Sequence, residues 1–148
     1  MLKSGHVRVN PSLMAGLFDC QFSHNVTIPM PQLASITAEE LLARYAAGDR
    51  GFAEIRLTEA NLSSAHLMTI NLQRASLSLV NFSGANLSYA NLSGAKLNVA
   101  RLGSANLNHV NLDQADLNVA NLSLADLSHA SLCSASLIRG ELMRADLS

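Results

Sequence analysis

The chain has 148 residues, of which 49 % are apolar and 14 % are charged, and its formal net charge is −1. This composition excludes a disordered charged tail, and a nearly neutral chain lacks the field that would attract nucleic acid or an anionic membrane. No apolar run approaches the roughly 18 residues that a membrane span needs.

Residues 1–36 lack any periodic pattern and contain Pro11, Pro29 and Pro31. Their longest apolar stretch, residues 13–18, is too short for the hydrophobic region of a secretory signal, so the cytoplasm is the default expectation. We interpret this segment as an N-terminal extension, either poorly ordered or adding an edge strand to the domain that follows. Because Met30 lies near its end, residues 1–29 need not belong to the native protein.

Residues 37–50 are expected to form a capping helix and a turn, with the helix over about residues 37–47. Thr37 and Glu40 have the capping-box spacing, and Gly48 suits the position just after a helix end. Ile36 and Leu41 occupy the hydrophobic-staple positions. The expected apolar stripe is Leu41, Leu42, Tyr45 and Ala46. Such a helix would cover the first coil of the following repeat and block end-to-end stacking.

Residues 51–148 repeat with a period of five. Leu or Phe occupies every fifth position from Phe52 to Leu147, and from Leu62 onward a small or aliphatic residue, usually Ala, stands two positions earlier. An α-helix would scatter these leucines around its surface, and a flat strand would send them alternately to opposite faces. They share one interior only if the chain bends after each pentad. Four bends of about 90° close a coil of twenty residues, so we expect about five coils spaced ~4.8 Å apart.

The segments Ala60-Asn61-Leu62 and Ala115-Asp116-Leu117 match the pattern A(D/N)LXX, and this pattern resembles the pentapeptide-repeat family. The resemblance implies an all-β fold, a right-handed quadrilateral parallel β-helix, and it implies little about role. Some proteins of the family form dimers through their C-terminal coils, which suggests a homodimer here. Others imitate duplex DNA and bind DNA gyrase. The repeat segment carries seven acidic and six basic residues, a balance that opposes DNA mimicry.

If residues n and n+20 stack, two outward columns stand out. The first, the aliphatic ladder, consists of Leu79, Val99 and Val119 and lies between Glu59 and Arg139. The second, the aromatic ladder, consists of Tyr89, His109 and His129. Exposed apolar strips can mark partner sites, although β-propensity alone also explains aliphatic residues at such positions. A solvated aromatic ladder likewise needs no ligand. Since zinc needs three or four ligands and no third stands in the histidine column, we expect no metal and no cofactor.

The sequence contains no nucleophile elbow, phosphate-binding glycine loop or zinc-helix motif, so we do not expect an enzyme. Cys133 falls in an outward column and Cys20 in the extension, and two cysteines are too few for a disulfide framework. The leading hypothesis is a non-catalytic scaffold that binds an unknown protein partner. The alternatives are a regulator that binds gyrase or another topoisomerase, and a purely structural module. Direct binding of nucleic acid is not expected.

Overall fold

The computed structural model describes residues 34–148. Their secondary structure consists of one helix, α1 (Ala38–Ala46), and a long series of parallel β-bridges, each formed by a single residue pair. Most of residues 1–36, the expected N-terminal extension, therefore lie outside the described residues. The last three of them are described: Ser35 forms a parallel bridge with Arg56.

The register of the bridges agrees with the predicted period of twenty residues. From Gly51 and Asn71 to Asp126 and Asp146, each bridge joins a residue to the one twenty positions later. Backbone hydrogen bonds hold this register: Asn81 N donates to Ala60 O at 2.9 Å. Four pentads therefore separate one bridge residue from its partner in the next coil.

Each pentad bends at a four-residue turn that begins at its Leu or Phe. In the turn that starts at Leu57, the N–H of Ala60 donates to the carbonyl of Leu57 at 3.1 Å. The third residue of these turns has a positive φ at every repeat from Glu54 to Arg144, with values between 57° and 67°. A positive φ at this position is the mark of a type II turn. Because the same turn recurs in every pentad, all bends have the same direction and the chain closes into coils.

The bends place the repeated Leu, Phe and Ala side chains in one core. Leu92 and Leu112, in the middle of the stack, have no exposed surface, and the alanines of the same two coils, Ala95 and Ala115, are also buried. The polar residue between Ala and Leu supports the bend from outside: Asn81 Oδ1 accepts a hydrogen bond from Ser83 N at 3.0 Å. The core is therefore narrow, and its small residues fill positions where larger groups would collide.

The ends of α1 follow the predicted signals. Glu40 N donates to Thr37 Oγ1 and Thr37 N donates to Glu40 Oε2, both at 3.1 Å, which completes the capping box. Gly48 has a φ of 104°, and the N–H of Asp49 donates to the carbonyl of Arg44 at 3.0 Å. This arrangement is a Schellman motif, in which glycine is favoured because of its positive φ.

The apolar stripe expected on α1 is wrong at two positions. Leu41 is buried and Tyr45 half-buried, but Leu42 is 38 % exposed and Ala46 is also exposed. The helix instead packs against the core through Ala38, Leu41 and Tyr45, three residues that share one line along a helix. Leu42 and Ala46 lie about 100° around the helix from that line. Tyr45 Oη also donates to the carbonyl of Met68 at 2.8 Å and fastens α1 to the repeat.

Burial declines in the last coil. Leu137 and Leu142 are half-buried, whereas Leu97 and Leu102 two coils earlier have no exposed surface. Leu147 is 58 % exposed. Among residues 34–148, no helix has both the length and the apolar composition that crossing a bilayer would require.

Candidate interaction surface

The aliphatic ladder lies on the outside of the repeat, at the third position of successive turns. The exposed fractions of Leu79, Val99 and Val119 are 49 %, 42 % and 50 %. The N–H of Val99 donates to the carbonyl of Asn118, and that of Leu79 to the carbonyl of Asn98, so the ladder is held in register by the backbone. Three large aliphatic side chains thus form a continuous apolar strip on a surface that is otherwise mostly polar.

The backbone beneath this strip is strained. The φ values of Leu79, Val99 and Val119 are 63°, 62° and 62°, in the left-handed region. A side chain branched at Cβ fits this region poorly, whereas Gly, Asn and Asp enter it readily. At the same turn position in other pentads the chain uses Gly84 and Gly94. The valines therefore add to the cost of the turn while contributing little burial.

A shallow groove runs beside the aliphatic ladder, and we call it the corner groove. It contains two neighbouring depressions of about 420 and 300 Å³, and Val99 and Arg101 line both of them. The aliphatic ladder forms one wall, and Ala60 and Ala100 lie at the corner between the walls. The other wall is a polar column joined by β-bridges: Asn61, Asn81, Arg101, Asn121 and Glu141.

The aromatic ladder is also formed as predicted from the register. The ring centroids of Tyr89 and His109 are 4.7 Å apart, with their planes at 13°, and those of His109 and His129 are also 4.7 Å apart. These turns begin two pentads away from the turns of the aliphatic ladder. In a coil of four pentads this separation is half a turn. The six candidate residues therefore form two separate surfaces and not one site.

Two carboxylates on the outer surface of the repeat, Asp126 and Asp113, have lowered pKa values. The pKa of Asp126 lies below its ordinary value mainly because the hydroxyl and the backbone N–H of Ser128 both donate to it. The pKa of Asp113 is lowered mainly by the hydroxyl of Ser131, with a further contribution from the N–H of Cys133. Each of these carboxylates is stabilised in its charged form by local donors, which is a structural role.

Within residues 34–148, no three His, Cys, Asp or Glu side chains gather in a way that would hold a metal ion. Cys133 is exposed and carries a free thiol.

The polar wall of the corner groove was missed from the sequence. Its signal was present, since residues 61, 81, 101, 121 and 141 follow the same register as the ladder residues. The register, however, shows only which residues stack into the same column. Which two columns face each other across a bend depends on the turn type, which the side-chain pattern does not specify.

Stacked coils in parallel register, with a type II turn in every pentad, define a β-solenoid. A family model described as pentapeptide repeats, with eight copies, matches residues 65–102, 100–139 and 119–148. These matches span more than half of the chain, and the protein belongs to the pentapeptide-repeat family.

The chain is also similar to solved structures of pentapeptide repeat proteins. HetL, a pentapeptide repeat protein involved in heterocyst differentiation regulation in the cyanobacterium Nostoc sp. strain PCC 7120, is 38 % identical with a TM-score of 0.69. That match covers 76 % of this chain and 50 % of HetL, so this chain spans half the length of HetL. A pentapeptide repeat protein from the thylakoid lumen of Arabidopsis thaliana is 23 % identical over 61 % of this chain and 63 % of its own, with a TM-score of 0.57.

A second Nostoc pentapeptide repeat protein is 38 % identical over 68 % of this chain and 78 % of its own, with a TM-score of 0.46. None of the curated proteins matches the chain.

Proposed function

We propose that this protein is a non-catalytic scaffold, a right-handed quadrilateral β-helix of about five coils, that binds a protein partner through the aliphatic ladder. Family membership supports the repeat scaffold. The likeness to HetL, a protein involved in regulation of differentiation, supports a regulatory role for that binding. The aromatic ladder, on the opposite corner, is a second outward surface available to the same or another partner.

One observation carries the proposal: Val99 and Val119 are both exposed and held at a positive φ. Exposed apolar side chains bring little burial energy, and a left-handed backbone costs such residues roughly 1–2 kcal/mol each. Folding alone would favour Gly or Asn at these two positions. The repeat requires the positive φ, but valine adds strain there that Gly or Asn would avoid, and strain of this kind is characteristic of functional surfaces.

The charge pattern favours this proposal over a gyrase-directed DNA mimic. Along the polar wall of the corner groove, Arg101 stands between neutral Asn81 and Asn121, and the acidic Glu141 lies two coils away. A mimic of duplex DNA needs negative charge at every step, because duplex DNA carries about one charge per 1.7 Å. A purely structural module, in turn, would have no use for the strained valines.

A second exposed apolar surface lies within residues 137–143. Ile138 and Met143 there are 68 % and 72 % exposed, beside half-buried Leu137 and Leu142. Exposed apolar surface of this kind is stabilised when another protein surface covers it and removes it from water. A second copy of the chain is one such surface, and a homodimer through the last coil is the arrangement that the sequence suggested.

Replacing both valines by asparagine tests the aliphatic ladder. In the V99N/V119N variant, partner recovery from a lysate of the source cell should fall at least about tenfold, because apolar contact is lost. The melting temperature should stay equal or rise, because Asn tolerates a positive φ. Recovery is measured by quantitative mass spectrometry and melting by circular dichroism.

The matched control is S104N/Q114N, which places Asn at the same turn position on other corners, where φ is 57° and 61°. This control should retain the full set of captured proteins. If V99N/V119N also captures every protein at the wild-type level, the aliphatic ladder is not a partner site. That result would favour the alternative of a purely structural module.

A further inference from the structure

The column of the aliphatic ladder ends in opposite charges. Glu59 stands one coil before the first aliphatic residue, and Arg139 stands one coil after the last. Both have the positive φ of the third turn residue, 65° and 59°. The backbone sets this order, since Val119 N donates to the carbonyl of Ile138, the residue before Arg139. The column therefore consists of an acidic residue, three aliphatic residues and a basic residue.

Both charged side chains are available to a partner. Glu59 and Arg139 are exposed, and within residues 34–148 neither forms an ion pair. Successive coils are 4.7 Å apart, as the stacked rings of the aromatic ladder show. Four such steps place the two charges about 19 Å apart along the stack. They are too distant to pair with each other, so each can meet an opposite charge on another molecule.

This column is complementary to its own reverse. If two copies lie side by side with antiparallel stacks, a two-fold axis at the level of Val99 places Glu59 of each copy opposite Arg139 of the other. Leu79 then lies opposite Val119. A parallel pair would place like charges opposite each other at both ends, and a shift by one coil would place a charge opposite an aliphatic side chain. The charges therefore select one arrangement, an antiparallel isologous contact.

The polar wall of the corner groove also faces its own reverse in this arrangement. Asn61 of one copy lies opposite Glu141 of the other. The Oδ1 of Asn61 accepts a hydrogen bond from Ser63 N at 3.1 Å within its own turn, so its NH2 group is left to donate to that carboxylate. Arg101 meets the like charge of its own copy at the centre of this wall, and this contact opposes association.

We propose that the partner of the aliphatic ladder is a second copy of this chain, packed side by side and antiparallel, with ion pairs between Glu59 and Arg139 at both ends. This inference rests on the proposed function, since it names the partner of the same strip. It uses a side of the stack and is distinct from a contact through the last coil. Three aliphatic residues form a contact smaller than the roughly 800 Å² per partner of a standard interface. We therefore expect a reversible dimer with a Kd on the order of 10–100 µM.

Charge reversal at the two ends tests the inference. In sedimentation equilibrium at low ionic strength, the full-length wild type should change from monomer to mostly dimer between about 1 µM and about 1 mM. E59R and R139E should each weaken the dimer at least about tenfold, because like charges then meet at both ends. Both positions are exposed, so the variants should fold, which their circular dichroism spectra check.

Recombining the charges is the decisive comparison. The double variant E59R/R139E restores opposite charges at both ends and should dimerise as the wild type does. An equimolar mixture of E59R and R139E should form a mixed dimer, although each variant alone dimerises weakly. A contact confined to the last coil gives no such rescue, because Glu59 lies four coils away from it. A wild type that stays monomeric at about 1 mM, or a double variant that dimerises no better than the single ones, would overturn the inference.

The aliphatic part of the contact has a matched control. V99N/V119N should weaken the dimer at least about tenfold, because the apolar contact is lost. L124N changes a comparably exposed aliphatic residue at the same turn position of another corner, where φ is 64°, and should leave the dimer unchanged. Equal dimerisation of V99N/V119N and L124N would contradict a contact through the aliphatic ladder.

The proposed function and this inference fail separately. With isotope-labelled bait in the lysate experiment, the protein recovered through Val99 and Val119 should be the unlabelled chain itself. If a different protein is recovered through these residues while the purified chain stays monomeric, the proposed function stands and this inference is wrong. If neither dimerisation nor recovery of any protein depends on Val99 and Val119, both are wrong.

Discussion

Left-handed backbone at the third turn residue shapes each bend of this protein. The chain places residues as different as Glu54, Tyr89 and Val119 at this position, all with φ near 60°. The N–H of each donates to a carbonyl of the next coil, as Val119 N does to Ile138 O at 2.9 Å. The stacked backbone therefore imposes the conformation, and the side chain at this position is left free to serve the surface.

The hydrogen-bonded carboxylates predict a specific pH response. Because the pKa values of Asp113 and Asp126 are lowered in the folded protein, their stabilisation is complete above the ordinary pKa of 3.8. It is lost as the pH falls from there through the lowered values. The fall in melting temperature on acidification from pH 5 to pH 2 should accordingly be smaller in D113N/D126N than in the wild type.

A control removes the hydrogen-bond donors that lower the two pKa values and keeps both aspartates. Ser128→Ala and Ser131→Ala delete the hydroxyl donors that contribute most to the lowered pKa values, so the doubly substituted protein should also show a smaller acid-induced decrease. Superimposable melting curves for all three proteins across this pH range would show that these hydrogen bonds do not couple to folding.

The helix α1 is a short element whose stability depends on its ends and on one line of contacts. With nine residues, it would be marginal in isolation, because helix nucleation is unfavourable. Its capping box, its Schellman motif and the packing of Leu41 into the core offset that deficit. The arginine of its last turn, Arg44, also pairs with Asp49 at 2.6 Å just beyond the helix.

Loss of the cap should therefore be measurable. Thr37→Ala removes the side-chain acceptor for Glu40 N and should lower the free energy of unfolding by about 1 kcal/mol. Thr37→Ser retains a hydroxyl at the N-cap and should restore most of that loss. Urea unfolding of the three proteins measures both values. If Ser is as destabilising as Ala, the hydroxyl is not what holds the helix end.

The stack as a whole is quasi-one-dimensional, since each coil contacts only its neighbours. The burial of side chains in one column depends on whether a coil covers them on each side. Leu102 and Leu142 belong to one such column, and the first has no exposed surface whereas the second is half-buried. The stability of the protein should be concentrated in the coils whose leucines are fully enclosed.

This gradient predicts different effects for the same substitution. Leu102→Ala should lower the free energy of unfolding by about 2–5 kcal/mol, because a cavity forms in a core that cannot collapse around it. Leu142→Ala should cost less than half as much, since its side chain is already partly solvated. Urea unfolding with a common m-value tests this, and equal losses at the two positions would contradict an inward gradient of burial.

The period of five, by itself, determined the repeat, its register of twenty residues and the interior of leucine and alanine. It did so because only a chain that bends after each pentad can hide Leu92 and Leu112 together. The sequence also predicted both ends of α1, from the capping box of Thr37 and Glu40 and from Gly48, because these signals depend on residues close in sequence.

Only the tertiary structure decided which parts of these elements meet. Leu42 and Ala46 are exposed because α1 rests on the repeat along one line and not over a broad face. Arg101 faces Val99 across the corner groove because a type II turn joins their two columns. A side-chain pattern records burial, whereas the hand of a bend is set by the backbone, and here Val99 and Val119 adopt a φ that their own side chains disfavour.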